Sequence, residues 1–189
     1  MNDAVILPTE VRDLLFSPEG APLLADVISW AKWRNAPGAT PEEQWAYMQV
    51  LFRNYREFRN LLDYRLGLVE AFRGVKVLPT YQRATDLHIY CDRIGGGFRI
   101  QHGYSTWIVA DSIGENFHIN QNVTVSQGKG GRPTIGDNVY VFTGAVATGK
   151  IRIGDNVTIA PNVFVNFDVE DDMDVLPAPA VVKPRKPGS

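Results

Sequence analysis

The sequence predicts a mainly β protein: a left-handed parallel β-helix of hexapeptide repeats with an α-helical N-terminal segment. Two observations carry this prediction. The first is a six-residue rhythm in the second half of the chain. Ile113-Gly-Glu-Asn-Phe-His is followed by Ile119-Asn-Gln-Asn-Val-Thr. The pattern resumes as Ile135-Gly-Asp-Asn-Val-Tyr, Val141-Phe-Thr-Gly-Ala-Val, Ile153-Gly-Asp-Asn-Val-Thr and Ile159-Ala-Pro-Asn-Val-Phe. A fixed short period of this kind is the signature of a β-helix. The second observation is an apolar spacing of three and four residues in the first third of the chain, which marks amphipathic helices.

The helical segment is expected over residues 1–75. Residues from about Thr9 to Asn35 form one or two short helices that end at Ala36-Pro-Gly38. Thr40-Pro-Glu-Glu43 is a helix start: Thr40 caps, Pro41 suits the first helical position and Glu43 closes a capping box. Trp45, Met48, Leu51, Phe52, Tyr55, Phe58, Leu62 and Tyr64 then give one apolar face. A further helical piece reaches Phe72, with Arg73-Gly74 as its exit. The basic and aromatic residues of Arg53-Asn-Tyr-Arg-Glu-Phe-Arg59 read as a helix with snorkelling arginines, not as a nucleic-acid patch.

The β-helix is expected over residues 84–170. Three six-residue units make one triangular coil, with the leading aliphatic residue pointing inward. Asn and Gly take the corners, where positive φ is needed; Asp-Asn at 137–138 and 155–156 fits such corners. Gln127-Gly-Lys-Gly-Gly-Arg-Pro133 breaks the period and should protrude as a loop, the kind of insertion that often lies on a binding face. Residues 171–189 follow as a cap and tail, with a Pro-rich stretch suited to covering the open end.

Composition narrows the functions. The chain has 189 residues, 44% hydrophobic and 21% charged, as expected of one globular domain with a helical appendage. A net charge of -2 gives no long-range attraction to nucleic acid or anionic membrane. Cys91 is the single cysteine, which excludes an internal disulfide and a cysteine-rich metal site. No signal-peptide pattern opens the sequence and no apolar run is long enough to span a bilayer, so a cytoplasmic location without membrane insertion is expected.

The chain has three histidines. His102 stands beside Gly103 at a bend outside the clean repeat, where an exposed side chain is expected. Histidine titrates near working pH and suits general-base chemistry. His118 falls last in its unit and should point away from the core, toward surface or interface packing. His88 lies near Asp86, and a pocket role and a structural role are both open. Gly128-Lys-Gly-Gly-Arg132 lacks the Walker spacing. It is either a solvated hairpin or a backbone cradle for a ligand.

Three stretches carry a resemblance. They are Tyr55-Arg-Glu-Phe-Arg-Asn-Leu-Leu-Asp-Tyr-Arg-Leu-Gly67, Asp86-Leu-His88 with Ile94-Gly-Gly-Gly-Phe-Arg-Ile-Gln-His-Gly103, and Val123-Thr-Val with the glycine loop and Pro133-Thr-Ile-Gly-Asp-Asn-Val. Together with the hexapeptides they resemble the serine acetyltransferase family, and most of all its short relatives in polysaccharide biosynthesis. The resemblance runs from about Arg56 to Val182. It implies acetyl-CoA as donor, a hydroxyl of L-serine or a sugar as acceptor, and no metal. It also implies a homotrimer, or a dimer of trimers, with active sites between neighbouring β-helices.

The resemblance implies His102 as general base with Asp86 in support, the latter after a one-residue gap in the match. It places Lys129, Gly130 and Gly131 beside acetyl-CoA, and Gly144, Ala145 and Asn162 along the pantetheine arm. Gln101, Arg132 and His88 fall at acceptor positions. Two residues depart from the family pattern. Gln101 stands where the family has an acidic residue, and Arg132 where it has a second active-site histidine. Loss of the acidic residue weakens the case for a substrate ammonium and points toward a sugar hydroxyl. It also keeps open a catalytically reduced scaffold that binds CoA without turnover. A γ-class carbonic anhydrase would need all three histidines as zinc ligands, and their spacings of 14 and 16 residues lack that class's close pair.

Overall fold

The computed structural model describes residues 7–73 and 82–179. Four helices precede the repeat: α1 (Thr9–Leu15), α2 (Ala21–Trp33), α3 (Pro41–Asn54) and α4 (Arg56–Leu68), followed by a 3-10 turn at Glu70–Phe72. The capping box at Thr40 forms as the sequence predicts. Its hydroxyl accepts from the Glu43 N–H at 3.2 Å, and the Glu43 carboxylate accepts from the Thr40 N–H at 3.1 Å.

The long apolar face after Thr40 is not one helix. It breaks at Tyr55, which is extended at φ -122° and ψ 113°. Buried Arg59 supplies the reason. Its guanidinium donates to the Phe52 carbonyl at 2.7 Å and the Arg53 carbonyl at 3.1 Å, capping the end of α3 from the first turn of α4.

The repeat is a parallel β-solenoid of five coils. One sheet has the order β1 (Leu87–Cys91), β3 (Thr106–Ala110), β6 (Thr124–Ser126), β9 (Val146–Thr148), β12 (Phe164–Val165). A second stacks β2 (Arg99–Ile100), β5 (His118–Ile119), β8 (Tyr140–Val141), β11 (Thr158–Ile159) and β13 (Asp174–Val175). The third joins β4 (Ser112–Ile113), β7 (Thr134–Ile135) and β10 (Arg152–Ile153). The leading aliphatics form inward ladders: Ile100, Ile119, Val141 and Ile159 pair in register and are all buried. Asn116, Asn138 and Asn156 take positive φ at one corner and pass a side-chain amide hydrogen bond from coil to coil at 3.0 Å.

The solenoid runs past residue 170. The acidic stretch after Val169 is a fifth corner and not the start of a cap. Asp172 takes the Asn place at φ 61° and accepts from Asn156 at 2.8 Å, and β13 then pairs with β11.

Helix α2 docks on the first coil through contacts that include a close approach at Gly96, the Trp30 indole and the Asp26 carboxylate, which accepts from the Phe98 N–H at 2.8 Å. A Cβ on Gly96 would lie 2.6 Å from the Ala25 methyl, so glycine there permits the approach. The Trp30 indole donates to the Phe98 carbonyl at 2.9 Å. Beneath them the buried Arg65 of α4 grips Asp26 of α2 at 2.8 and 3.1 Å. It also donates to the Ile94 and Gly95 carbonyls of the first coil.

His118 lies under α2 in interface packing, edge-on to Trp33 and stacked near Tyr140. Burial, reinforced by the nearby Arg99 charge, pushes its imidazole down to about 4. The unfolded chain therefore binds this proton more readily than the folded one. The stability contributed is full above about pH 6.5 and is lost as pH falls through about 4. His118→Phe should remove that acid loss. Urea midpoints at pH 7 and pH 4.5 are expected to differ less in the variant than in the wild type.

Candidate active site

Chain order fixes where the candidate residues fall. After β2 the chain turns a corner into β3, and His102 stands on that turn. It is exposed, at φ 65°, and its carbonyl accepts from the Tyr104 N–H. Gly103 beside it is buried, and a Cβ there would meet Glu57 of α4 and Ile100, each at 2.9 Å. Asp86 sits at the start of β1 against the same turn. One carboxylate oxygen accepts from the Ser105 N–H at 3.0 Å, and its carbonyl accepts from Thr106 at 3.0 Å. Asp86 thus clamps the loop that follows His102. No hydrogen bond joins Asp86 and His102 directly among the described residues. Gln101 is half-buried, and its N–H donates to the Ile119 carbonyl at 2.8 Å.

The same edge continues down the solenoid. Gly144 at φ 75° and Asn162 at φ 60° occupy the equivalent corner of later coils. A Cβ on Gly144 would lie 2.3 Å from the Asn162 carboxamide oxygen, so that corner stays narrow. Ala145 is fully buried. Its methyl belongs to the core, and a ligand on this edge meets only its backbone.

The glycine loop lies on the other edge of the β1–β12 sheet, between β6 and β7. It folds back as a hairpin, with the Gly128 N–H donating to the Gly131 carbonyl at 3.0 Å. Gly130 and Gly131 take φ of 88° and 147°, which a side chain rarely adopts. Lys129 is exposed and Arg132 half-buried near Cys91. The structure therefore brings together His102, Asp86, Gly144 and Asn162 along one edge. It holds Lys129, Gly130, Gly131 and Arg132 apart from them, across a whole sheet face.

That face carries His88 together with two rings the sequence reading did not select, Trp107 and Tyr90. Outward-facing His88 packs on Trp107 with ring centroids 4.1 Å apart, and Tyr90 lies 5.9 Å from Trp107. Period-two alternation within β1 and β3 is the signal that could have found them. Beside these rings runs a groove of about 530 Å³, lined by Asp86, His88, Ser105, Trp107, Thr124 and Ser126 among others. A larger hollow of about 890 Å³, between α4 and β1, meets it at His88. Among the described residues no group of acidic, His or Cys side chains could hold a metal ion. No helix among them is long and apolar enough to cross a membrane.

Comparison with known proteins agrees with this architecture. Residues 132–166 match the family model described as bacterial transferase hexapeptide (six repeats). A serine acetyltransferase of Synechococcus elongatus is 37% identical over 95 residues, covering 48% of this chain and 39% of that protein. A serine acetyltransferase of Bacillus subtilis is 37% identical over 99 residues, covering 47% and 43% respectively. The chain thus spans about two fifths of the length of these curated relatives. Among solved structures, Entamoeba histolytica serine acetyltransferase 1 in complex with L-cysteine superposes with a TM-score of 0.62 at 24% identity. That match covers 86% of this chain and 64% of the other. Neisseria gonorrhoeae serine acetyltransferase gives a TM-score of 0.54 at 24% identity, covering 93% and 70%.

Proposed function

We propose that this chain is a hexapeptide-repeat acyltransferase of the serine acetyltransferase type, an acetyl-CoA-dependent O-acetyltransferase. The observation that carries the reading is His102, exposed on a positive-φ corner with Asp86 clamping the loop behind it. An alcohol is a poor nucleophile at neutral pH and needs a base. His102 takes the acceptor hydroxyl proton as that oxygen attacks the thioester carbonyl. The tetrahedral intermediate then expels the CoA thiolate, and the imidazolium returns its proton to that sulfur. Backbone N–H groups stabilise the oxyanion.

Acetyl-CoA lies along the corner of Gly144, Ala145 and Asn162, with Lys129, Gly130 and Gly131 supplied across a subunit boundary. The two edges lie on opposite sides of one sheet within a protomer, which supports a homotrimer whose neighbouring edges complete each site. A dimer of trimers would use the same contacts. In this reading Gln101, Arg132 and His88 face the acceptor, and the enzyme works in the cytoplasm.

Free thiol release from acetyl-CoA tests the reading, with L-serine and then sugars as acceptors and the molar mass measured by light scattering. Turnover in a particle of three chains is the expected result. CoA binding without turnover on any acceptor would favour the scaffold reading, which the departures at Gln101 and Arg132 motivate.

A further inference from the structure

We infer that the groove beside Asp86 is the acceptor subsite, and that it selects a neutral carbohydrate ring over an amino acid. The inference rests on the O-acetyltransferase reading and names its acceptor class. Position is the first argument. The groove begins at Ser105, in the loop that His102 opens, and at Asp86, whose carboxylate accepts from the Ser105 N–H. Its size falls in the range of small-ligand sites, roughly 300–1,000 Å³.

The second argument is the chemistry of its walls. Trp107, which lines the groove, is 40% exposed, and Tyr90, on the same sheet face at the wall of the adjoining hollow, is 55% exposed. A carbohydrate ring presents an apolar C–H face and a rim of hydroxyls. The indole suits the face. The hydroxyls of Thr124 and Ser126, and the Asp86 carboxylate, suit the rim. Only one Asp86 oxygen is engaged, by the Ser105 N–H. The other is available to accept from a sugar hydroxyl, a charge-assisted bond.

The third argument is the charge balance of the groove. None of its lining residues is Lys or Arg. Within one protomer the carboxylate of an amino acid would lie beside Asp86 with no cation on the same walls, and the Arg132 that the proposed assembly brings to the acceptor would have to reach it from a neighbouring subunit, at a desolvation cost that a neutral ligand escapes. The arginines nearby, Arg56 and Arg83, line the hollow on the far side of His88, and Arg83 already pairs with Asp63.

The test compares the full chain with Trp107→Ala and Tyr90→Ala, using N-acetylglucosamine, methyl glucosides and L-serine as acceptors. Thiol release gives KM and kcat, and light scattering gives the molar mass. The expected result is turnover with a glycoside, and an acceptor KM raised about tenfold or more in Trp107→Ala. The KM for acetyl-CoA and the molar mass stay unchanged. Turnover of L-serine with the same KM in Trp107→Ala overturns the groove and leaves the acetyltransferase reading standing. A fall in molar mass in Trp107→Ala or Tyr90→Ala also overturns it, because a second copy of the chain then covers the rings. If no acceptor turns over, calorimetric titration of the glycosides separates the two readings. Binding that Trp107→Ala abolishes supports the groove while the acetyltransferase reading fails, and no binding overturns the groove.

Discussion

Replacing His102 with alanine is expected to lower acetyl transfer by about 100-fold or more, the usual contribution of a positioned general base. The side chain is exposed on a corner, so its loss opens no cavity. The backbone is the one complication. His102 holds φ at 65°, a region that costs an L-residue roughly 1–2 kcal/mol. Asparagine tolerates that region well, and Asn fills five other positive-φ corner positions of this solenoid, at 116, 122, 138, 156 and 162. His102→Asn therefore removes the base and keeps the turn. Both variants should lose turnover, and the asparagine variant should melt with the wild type. Initial rates of thiol release at saturating acetyl-CoA decide it. Rates within about twofold of wild type in His102→Asn would take the imidazole out of the mechanism.

The sequence shows the solenoid because its period is local: each unit repeats its own inward residue and its own corner. The helices were legible where a local signal exists, as at the Thr40 capping box. They were misread where the signal is tertiary. Nothing in the run from Trp45 to Tyr64 announces a break at Tyr55. The break depends on Arg59 reaching back to two carbonyls, and arginine in an amphipathic pattern reads as a solvated edge. The fifth coil was missed for a related reason. Val169-Glu-Asp-Asp-Met-Asp carries the repeat with Asp where Asn is usual, and three acids in a row looked like a tail.

The site divides in the same way. His102 stood out because it interrupts the rhythm. Trp107 and Tyr90 did not, because a strand pattern with aromatics resembles core until the two faces are told apart. The separation of the glycine hairpin from His102 was not legible at all. It follows from the hairpin joining β6 to β7 while His102 joins β2 to β3, a property of the coil and not of any segment.

The other large effect is expected at Asp26 and Arg65, far from the chemistry. Asp26→Ala should destabilise the fold by about 3–5 kcal/mol, the cost of stranding one member of a buried ion pair. Arg65 would keep its charge with only the Ile94 and Gly95 carbonyls as partners, and the Phe98 N–H would lose its acceptor at 2.8 Å. The pair itself need not be a net gain. Burial pushes the Asp26 carboxyl up to about 6 even though Arg65 and the Phe98 N–H pull it down. The folded state therefore holds this proton more tightly than the unfolded chain. The contribution of Asp26 is full below about pH 3.8 and declines as pH rises through about 6. That slope opposes the one from His118, and the two overlap between about pH 4 and 6.

Paired replacement separates pairing from packing. Asp26→Leu with Arg65→Met removes both charges and fills the space between α2, α4 and the first coil, so it should recover most of the stability lost in Asp26→Ala. Urea unfolding at pH 7 gives the difference from the midpoints, provided the slopes agree. A double variant as unstable as Asp26→Ala would mean that the hydrogen bonds to Ile94, Gly95 and Phe98, and not the cancellation of charge, hold the helices on the solenoid.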